Sequence, residues 1–497
     1  MKRMHCALRV AVILVGIHGL PCIAEEPRIN ISTATETNWS GVALRDIEAA
    51  HRLISRVHPG VIEHDDDVFQ EAFNRGYEQA RALASKADSA DRALAAVRFY
   101  ISGYRDGHVA IEGAYANRAT LWAGFDVRYQ GGLYVVSKRA VEWPSPLPAV
   151  GSQVVECDRK PVDRLLLDEF APYVDRRFEL DGTRSFLALS LTNDWALTPT
   201  WRGTAPMSCS VVSPKGERQT FTLVWRRSEE GLKRLHATSR SVTVQSFNGG
   251  TYWIDASNFA PDAQQRQRFE AALHQIRQLH EASAVVLDTR GNRGGSSLVG
   301  MRILNALLKQ TAPPPITSGS YFRVSSEAIG HLKELAEAQT GQTEQDVLTR
   351  KLLDANLQKM IAAQARGDAT AEFDGDSLDL ASPEVGRPFR GRLVVLTDAN
   401  CSSACLDFTE LALRLPNAVH AGQPTSVDTR YTWVGDAVLP GGLRLWIPYK
   451  VETRRRGQSS KGLVPAFPYQ ANIDDTGDVR AWVERDVLPC AMPLSHR

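Results

Sequence analysis

Residues 392–415 read RLVVLTDANCSSACLDFTELALRL, and this stretch decides the fold. The apolar run 393–396 is typical of a buried parallel strand, and the apolar residues after 407 recur at helical spacing. Small residues therefore lie where a strand becomes a helix, a place where backbone N–H groups and the positive end of the helix dipole face a ligand. A serine hydroxyl there, at Ser402 or Ser403, is either a helix cap or a nucleophile whose oxyanion product those amides stabilise. The segment by itself favours the cap.

A second segment of the same kind precedes it in the chain. Residues 285–295 read VVLDTRGNRGG, which is another buried-strand run ending in a glycine-rich turn, and 296–308 has the pattern of a helix. Glycines tolerate positive φ and let the backbone approach a reacting group. Two parallel strands that end in these turns are predicted to bring the N–H of Gly294 or Gly295 near the Ser403 hydroxyl.

Together the two segments resemble the C-terminal-processing (tail-specific) serine proteases and their tricorn-core relatives. Three further matches follow the order of that family: YWIDASNF at 252–259, GQPT at 422–425 and GLVP at 462–465. The resemblance spans about residues 245–470. It implies a serine-type peptidase with an α/β, crotonase-like (ClpP/crotonase) catalytic core, acting on polypeptides by acyl transfer without a metal or cofactor.

The resemblance also implies roles for individual residues. Ser403 is the expected nucleophile, and the N–H of Ala404 with that of Gly294 or Gly295 forms the expected oxyanion hole. His108, which ends an Asp-Gly-His turn similar to that of the tricorn branch, is the expected general base. A lone histidine is more often structural, but neutral imidazole can accept a hydroxyl proton at physiological pH. The chain is therefore expected to lie nearer the His-containing branch than the Ser–Lys branch.

Departures from the family pattern leave the third catalytic group open. Asp428 stands where the Ser–Lys members have lysine, Leu406 stands at a commonly acidic position, and 459–461 lacks the tricorn-type glutamate. We expect Asp428 to orient the imidazole, and Glu452 is the second candidate. The alternative is that Asp428 is only a turn residue without a catalytic role. The same departures keep open a non-catalytic peptide or lipid binder of the same fold, and a serine esterase.

The composition is that of an ordinary globular protein. The 497 residues include 58 Lys and Arg against 57 Asp and Glu, with 43% hydrophobic residues, so no charge excess indicates nucleic acid binding. Met1-Lys2-Arg3 followed by an apolar run to Ala24 predicts a signal peptide over 1–24. A retained anchor is the alternative. The prediction is a periplasmic or secreted protein without a membrane span after cleavage.

Loss of this signal would leave an odd number of cysteines, at positions 157, 209, 401, 405 and 490. In an oxidising compartment at least one of them stays unpaired or pairs between chains. A disulfide between Cys401 and Cys405 is possible across the turn. A cysteine nucleophile is a rival to Ser403, which the family pattern disfavours because it places serine at the reactive position.

The remaining chain divides by pattern into a helical region over 25–115, a β module over 116–240 and a catalytic domain over 241–490 with a helical insert at 312–390. The segment VGSQVVECD at 150–158 makes the β module PDZ-like, although Arg159 replaces the usual turn glycine. A purely structural β module is the alternative, and the insert is expected to be a lid or interaction arm. His58, His64 and the aspartates at 65–67 are expected to form a solvated helix cap.

Overall fold

The structure is a computed structural model that describes residues 37–116, 120–194, 201, 205–227, 240–308, 319–374, 388–415, 417–453 and 462–489. The predicted signal peptide, Cys490 and residues 459–461 lie outside these ranges. The chain forms two compact units. The N-terminal unit comprises the described residues within 17–238 and 435–448, and the C-terminal unit comprises the described residues within 239–434 and 449–497. None of the described helices is long and apolar enough to cross a membrane.

Helices occur in both units, and two of them, Val162–Leu165 and Asp181–Leu189, lie within the region over 116–240 that was expected to be a β module. The helices span Trp39–Val57, Asp67–Glu71, Tyr77–Ala84, Ala90–Ser102, Val162–Leu165, Asp181–Leu189, Ala263–Ile276, Ser297–Leu308, Ser326–Glu337, Glu344–Arg366, Ala404–Leu413 and Thr476–Trp482.

The strands are numbered in chain order. They are β1 Ala110–Glu112, β2 Leu121–Trp122, β3 Phe125–Gln130, β4 Leu133–Arg139, β5 Gln153–Cys157, β6 Lys160–Pro161, β7 Asn193–Asp194, β8 Ser208–Val212, β9 Arg218–Thr222, β10 Arg226–Arg227, β11 Thr243–Ser246, β12 Thr251–Asp255, β13 Ala284–Asp288, β14 Tyr321–Arg323, β15 Thr370–Glu372, β16 Arg392–Thr397, β17 Ala418–Gly422, β18 Tyr431–Val438, β19 Arg444–Val451 and β20 Phe467–Pro468.

The N-terminal unit begins with a helical layer. Ala43, Ile47, Ala50 and Ile54 recur on one face of the first helix and are all fully buried, as the helical period requires. The last long helix of this layer ends at Ser102, and the Asp-Gly-His turn follows it before β1. Within this unit β1 pairs with the first residues of β19 in antiparallel fashion.

A separate antiparallel sheet follows in the same unit, in the order β3-β4-β5-β8-β9 with β6 paired to β5. Cys157 and Cys209 are cross-strand partners on β5 and β8 and form a disulfide. The turn after β5 places Asp158 and Arg159 at φ values of 47° and 63°. Arg159 therefore adopts the left-handed conformation for which glycine is the usual residue.

The C-terminal unit is built on a sheet in the order β11-β12-β13-β16-β17-β20. All its pairs are parallel except that between β11 and β12. Both faces are buried, which explains the continuous apolar runs. Val285 and Leu287 pack under the helices Ala263–Ile276, Ser297–Leu308 and Ala404–Leu413, while Val286 packs with Val479 on the opposite face.

The insert contributes β14, β15 and the helices Ser326–Glu337 and Glu344–Arg366. The longer helix is bound to the rest of the C-terminal unit through a buried cation. Arg302 is 6% exposed and its guanidinium donates to Glu270 at 2.8 Å and to Glu344. At this end the insert is firmly attached.

Candidate active site

The predicted nucleophile lies at the turn between β16 and the helix Ala404–Leu413. Ser403 is 7% exposed and has φ 54° and ψ −125°. This backbone conformation is unfavourable for a residue with a Cβ and costs about 1–3 kcal/mol unless the surroundings enforce it. Such conformations concentrate at functional sites. The strained backbone therefore favours Ser403 over Ser402 as the functional serine of this segment.

The cap alternative can be compared with how the other helices begin. Several described helices start at a residue whose side chain accepts a backbone N–H of the first turn, and these residues are Asn38, Asp66, Ser89, Asp262, Ser325, Thr343 and Asp475. Ser403 occupies the cap position, yet its side chain makes no capping hydrogen bond. The Ser403 side chain is therefore not a helix cap.

The glycine-rich turn after β13 lies against the nucleophile turn, as the parallel pairing predicts. β13 and β16 are adjacent, with Asp288 opposite Leu396. The Ser402 hydroxyl donates to the Arg293 carbonyl at 3.1 Å, and the Gly291 N–H donates to the Asp398 carboxylate at 3.0 Å. The residue next to the predicted nucleophile thus contacts the loop that carries the predicted oxyanion glycines.

The two predicted oxyanion glycines differ in what their amides do. The Gly294 N–H donates to Asn292 Oδ1 at 2.7 Å, so it already has an acceptor within the turn. Gly295 has φ 139°, and a Cβ there would lie 2.0 Å from the carbonyl oxygen of Phe259. The adjacent Ser296 N–H donates to that same oxygen at 2.7 Å. Backbone proximity thus explains the glycine at 295, and Gly295 is the better oxyanion candidate.

His108 belongs to the N-terminal unit, where it lies on the turn between the helix Ala90–Ser102 and β1. Its imidazole is 3% exposed. The backbone N–H of His108 donates to Asp106 Oδ1 at 2.8 Å, and the ring Nδ1 of His108 is 3.4 Å from the same oxygen. Ser403 is in the C-terminal unit. The pairing of His108 with Ser403 stays a prediction.

Comparison with known proteins now identifies the family. Residues 241–465 match the family model described as peptidase family S41. That domain belongs to peptidase family S41. The chain is accordingly a serine-type peptidase, and its expected substrate class is polypeptide. No curated protein matches the chain.

The fold of this chain is similar to that of mature CPAF, whose solved structures match it with the higher TM-scores. Mature CPAF complexed with lactacystin is 13% identical, with a TM-score of 0.63 over 86% of this chain and 94% of that chain. Mature CPAF alone is 12% identical, with a TM-score of 0.63 over 86% and 93%. The photosystem II D1 C-terminal processing protease is 14% identical, with a TM-score of 0.37 over 86% and 93%. At these identities the likeness concerns the fold alone.

The two carboxylates expected near the imidazole have other partners in the S41 domain. Asp428 is adjacent to Ser403, and its Oδ2 accepts the Ser403 N–H. Glu452 accepts the Ser320 hydroxyl at 2.7 Å and pairs with the buried ammonium of Lys450. Asp428 is therefore at the nucleophile turn, where it accepts a backbone N–H, and its role toward the imidazole stays a prediction. Glu452 is held by its own ion pair.

The cysteines that flank Ser403 form a disulfide. Cys401 and Cys405 are bonded to each other and both are fully buried. A disulfide sulfur is not a nucleophilic thiolate, so the rival cysteine mechanism does not apply to this form of the S41 domain. The sequence allowed this bond without establishing it, and the bond between Cys157 and Cys209 was not anticipated.

One expectation about the N-terminal histidines was wrong in part: His58 does cap a short helix, but it is not solvated. His58 was expected in a solvated cap, but it is 1% exposed and stacks on Phe69 with ring centroids 4.5 Å apart. Its Nδ1 accepts the Gly60 N–H at 2.9 Å. The aromatic residues of the following segment, such as Phe69, could have indicated this burial, because an aromatic side chain that packs on a histidine shields the histidine from water.

Proposed function

We propose that this S41 peptidase is a periplasmic or secreted endopeptidase that acts by acyl transfer through Ser403, with His108 as general base. In this proposal the C-terminal unit is a crotonase-like core of the His-containing branch, and residues 116–240 are a PDZ-like module. The observation that carries the proposal is the strained, non-capping Ser403 at the start of a helix beside a glycine-rich turn.

The chemistry follows from the groups at the turn. The Ser403 hydroxyl attacks a substrate carbonyl while the neutral imidazole of His108 takes its proton. The negative charge that develops on the carbonyl oxygen is stabilised by the N–H groups of Ala404 and Gly295. Each such amide contributes about 3 kcal/mol to lowering the barrier. The imidazolium then protonates the leaving amine, and water releases the acyl group.

The scaffold supports this use of backbone amides. The N-terminus of the helix Ala404–Leu413 directs its dipole toward the turn, which favours a developing anion. The glycine-rich turn is held by a buried ion pair in which the Arg290 guanidinium donates to both oxygens of Asp288, at 2.8 and 2.7 Å. Amides fixed in this way need no reorganisation when charge develops.

A fluorophosphonate probe tests the proposal, because it reacts with an activated serine. The full chain should be labelled, and Ser403→Ala should abolish labelling. Ser402→Ala is the matched control, since it removes the neighbouring hydroxyl, and it should still be labelled. His108→Ala should be folded and silent. Labelling that survives in Ser403→Ala would place the nucleophile elsewhere.

The same experiment separates the alternatives. A folded but unlabelled parent protein would support a non-catalytic binder, which the missing family lysine and glutamate motivate. Labelling together with turnover of simple esters, but no cleavage of casein, would support an esterase. Cleavage of casein that is lost in Ser403→Ala supports the endopeptidase.

For the PDZ-like module we favour a structural role over a role as a peptide-binding site. The Ser185 hydroxyl on the helix Asp181–Leu189 donates to the Tyr129 carbonyl at 3.3 Å, and the Tyr129 N–H donates to that hydroxyl at 3.2 Å. Strand addition needs free backbone groups at a sheet edge. At Tyr129, on the edge strand β3, those groups already bond to the module's own helix.

A further inference from the structure

A buried carboxylate lies directly beside the proposed general base. Asp106 and His108 have side-chain exposures of 2% and 3%. Asp106 Oδ1 accepts the backbone N–H of His108 at 2.8 Å and is 3.4 Å from its Nδ1. One oxygen therefore contacts both the backbone and the ring of His108.

This carboxylate is ionised at neutral pH. Burial acts to raise the pKa of Asp106, but its hydrogen bonds to His108 and the charges of His108 and His58 outweigh burial, so the pKa lies below its ordinary value. A buried charge is stable only when it is paired and hydrogen-bonded. The imidazole of His108 is thus part of what keeps Asp106 charged, and the interaction is mutual.

His58 is the second imidazole that acts electrostatically on Asp106. Burial lowers the pKa of His58 to about 3, with smaller opposing effects from Asp106 and His108, so its ring is neutral at physiological pH. Its Nδ1 accepts the Gly60 N–H, which puts the ring proton on Nε2. Of the two imidazoles, His108 has the larger effect on the pKa of Asp106, because it acts through hydrogen bonds as well as through charge.

We infer that Asp106 is the positioning residue of the catalytic imidazole: its carboxylate holds His108 with Nδ1 protonated, so that Nε2 can accept the serine proton. This inference rests on the proposed function, in which His108 is the base. A carboxylate in this place selects the tautomer and stabilises the imidazolium that forms during attack. Asp428 then has a different task, which is to hold the Ser403 N–H at the nucleophile turn.

A purely structural role for Asp106 makes a different prediction. An aspartate that accepts the N–H two residues later forms an Asx turn, and asparagine forms that turn equally well. Asp106→Asn therefore keeps the turn and removes the charge. Asp106→Ser, whose hydroxyl can accept the same N–H, is a second variant without charge in case the asparagine protein does not fold.

The test is the rate of fluorophosphonate labelling of the full chain between pH 5 and 9. If Asp106 positions the base, Asp106→Asn should label at least about tenfold more slowly at pH 7, since general-base catalysis contributes about 10²–10⁴-fold. Its acid limb should also move to lower pH, because a neighbouring carboxylate favours the protonated imidazole. Other titratable or charged groups near this turn include His58, which acts electrostatically on Asp106, and Arg177, whose guanidinium lies close to Gly107 and is paired with Asp175.

Asp428→Asn is the matched control, because it makes the same chemical change in the carboxylate beside Ser403. It should leave the acid limb in place. The inference is overturned if His108→Ala is silent while Asp106→Asn labels like the parent with the same pH profile, or if only Asp428→Asn moves the limb. Normal labelling of His108→Ala overturns both this inference and the proposed base.

Discussion

Replacing Gly295 by alanine tests whether close backbone approach shapes the oxyanion turn. A Cβ at this position would lie 2.0 Å from the Phe259 oxygen and 2.1 Å from its carbonyl carbon. Both are backbone atoms, and the Phe259 oxygen also accepts the Ser296 N–H. The new methyl group cannot be accommodated by rotating a side chain, so the turn itself has to move.

Gly291 provides the matched comparison because it lies in the same turn and also has a positive φ. Its φ is 81°, and nothing lies within 4 Å of the Cβ it would carry. Gly291→Ala therefore pays only for the backbone conformation, about 1–2 kcal/mol. Gly295→Ala adds the cost of overpacking, about 1–3 kcal/mol, for a total of about 2–5 kcal/mol.

Thermal unfolding and fluorophosphonate labelling together measure the effect. A loss of 1 kcal/mol lowers the unfolding temperature of a unit of this size by about 2–4 °C, so Gly295→Ala should lower it by at least about 2 °C more than Gly291→Ala does. Labelling at a temperature where both variants are folded should be largely lost in Gly295→Ala and retained in Gly291→Ala. Equal shifts with equal labelling would refute the idea that contact with Phe259 holds the oxyanion turn.

Two further predictions concern the disulfides and one buried histidine. Replacing both Cys401 and Cys405 by alanine should cost about 2 kcal/mol of stability, because the loop is short, but it should strongly reduce labelling of Ser403. The same change at Cys157 and Cys209 should cost about 4 kcal/mol and leave labelling intact. The reverse order of labelling would contradict a positioning role for the short loop. Burial lowers the pKa of His420 to about 4, so its contribution to stability is complete above about pH 6.5 and is lost as pH falls toward 4, by up to about 3 kcal/mol. Urea unfolding at pH 7 and at pH 4.5 should therefore show a smaller loss of stability at low pH in His420→Gln than in the parent protein. An unchanged loss would show that His420 does not cause the pH dependence.

Much of the core of the C-terminal unit was predictable because its strands are buried on both faces. The runs at 285–288 and 393–396 have no polar alternation, and this pattern predicts a parallel sheet. The helix expected over 296–308 is observed at Ser297–Leu308. Glycines at 294 and 295 predicted a turn with positive φ, and both have it. These features follow from local composition, which a single sequence displays directly.

Features that depend on the partner of a polar group were not predictable. Whether the Gly294 N–H faces a substrate or the Asn292 side chain depends on a side-chain rotamer, and the residue types are compatible with both. The Cys157–Cys209 bond depends on the register of β5 and β8. These strands are far apart in the chain, and the sequence between them does not determine which of their residues are paired. His58 and Asp66 were expected to be solvated but are buried, because burial is a property of the folded unit, whereas Asp65 and Asp67 are exposed as expected.

Ser403 shows why the same segment supported two readings until backbone geometry was known. A capping serine and a nucleophilic serine both precede a helix, and both are favoured by small neighbours. They differ in φ: the capping residues Ser89 and Ser325 have φ values of −146° and −151°, whereas Ser403 has 54°. The N–H groups of Cys405 and Leu406 donate instead to the carbonyl oxygens of Ser402 and Ser403, at 3.1 and 2.8 Å, so the helix begins without a side-chain cap. The positive φ at Ser403 and the lack of a capping bond from its side chain are thus one structural feature, in keeping with the proposed role of Ser403 as the nucleophile.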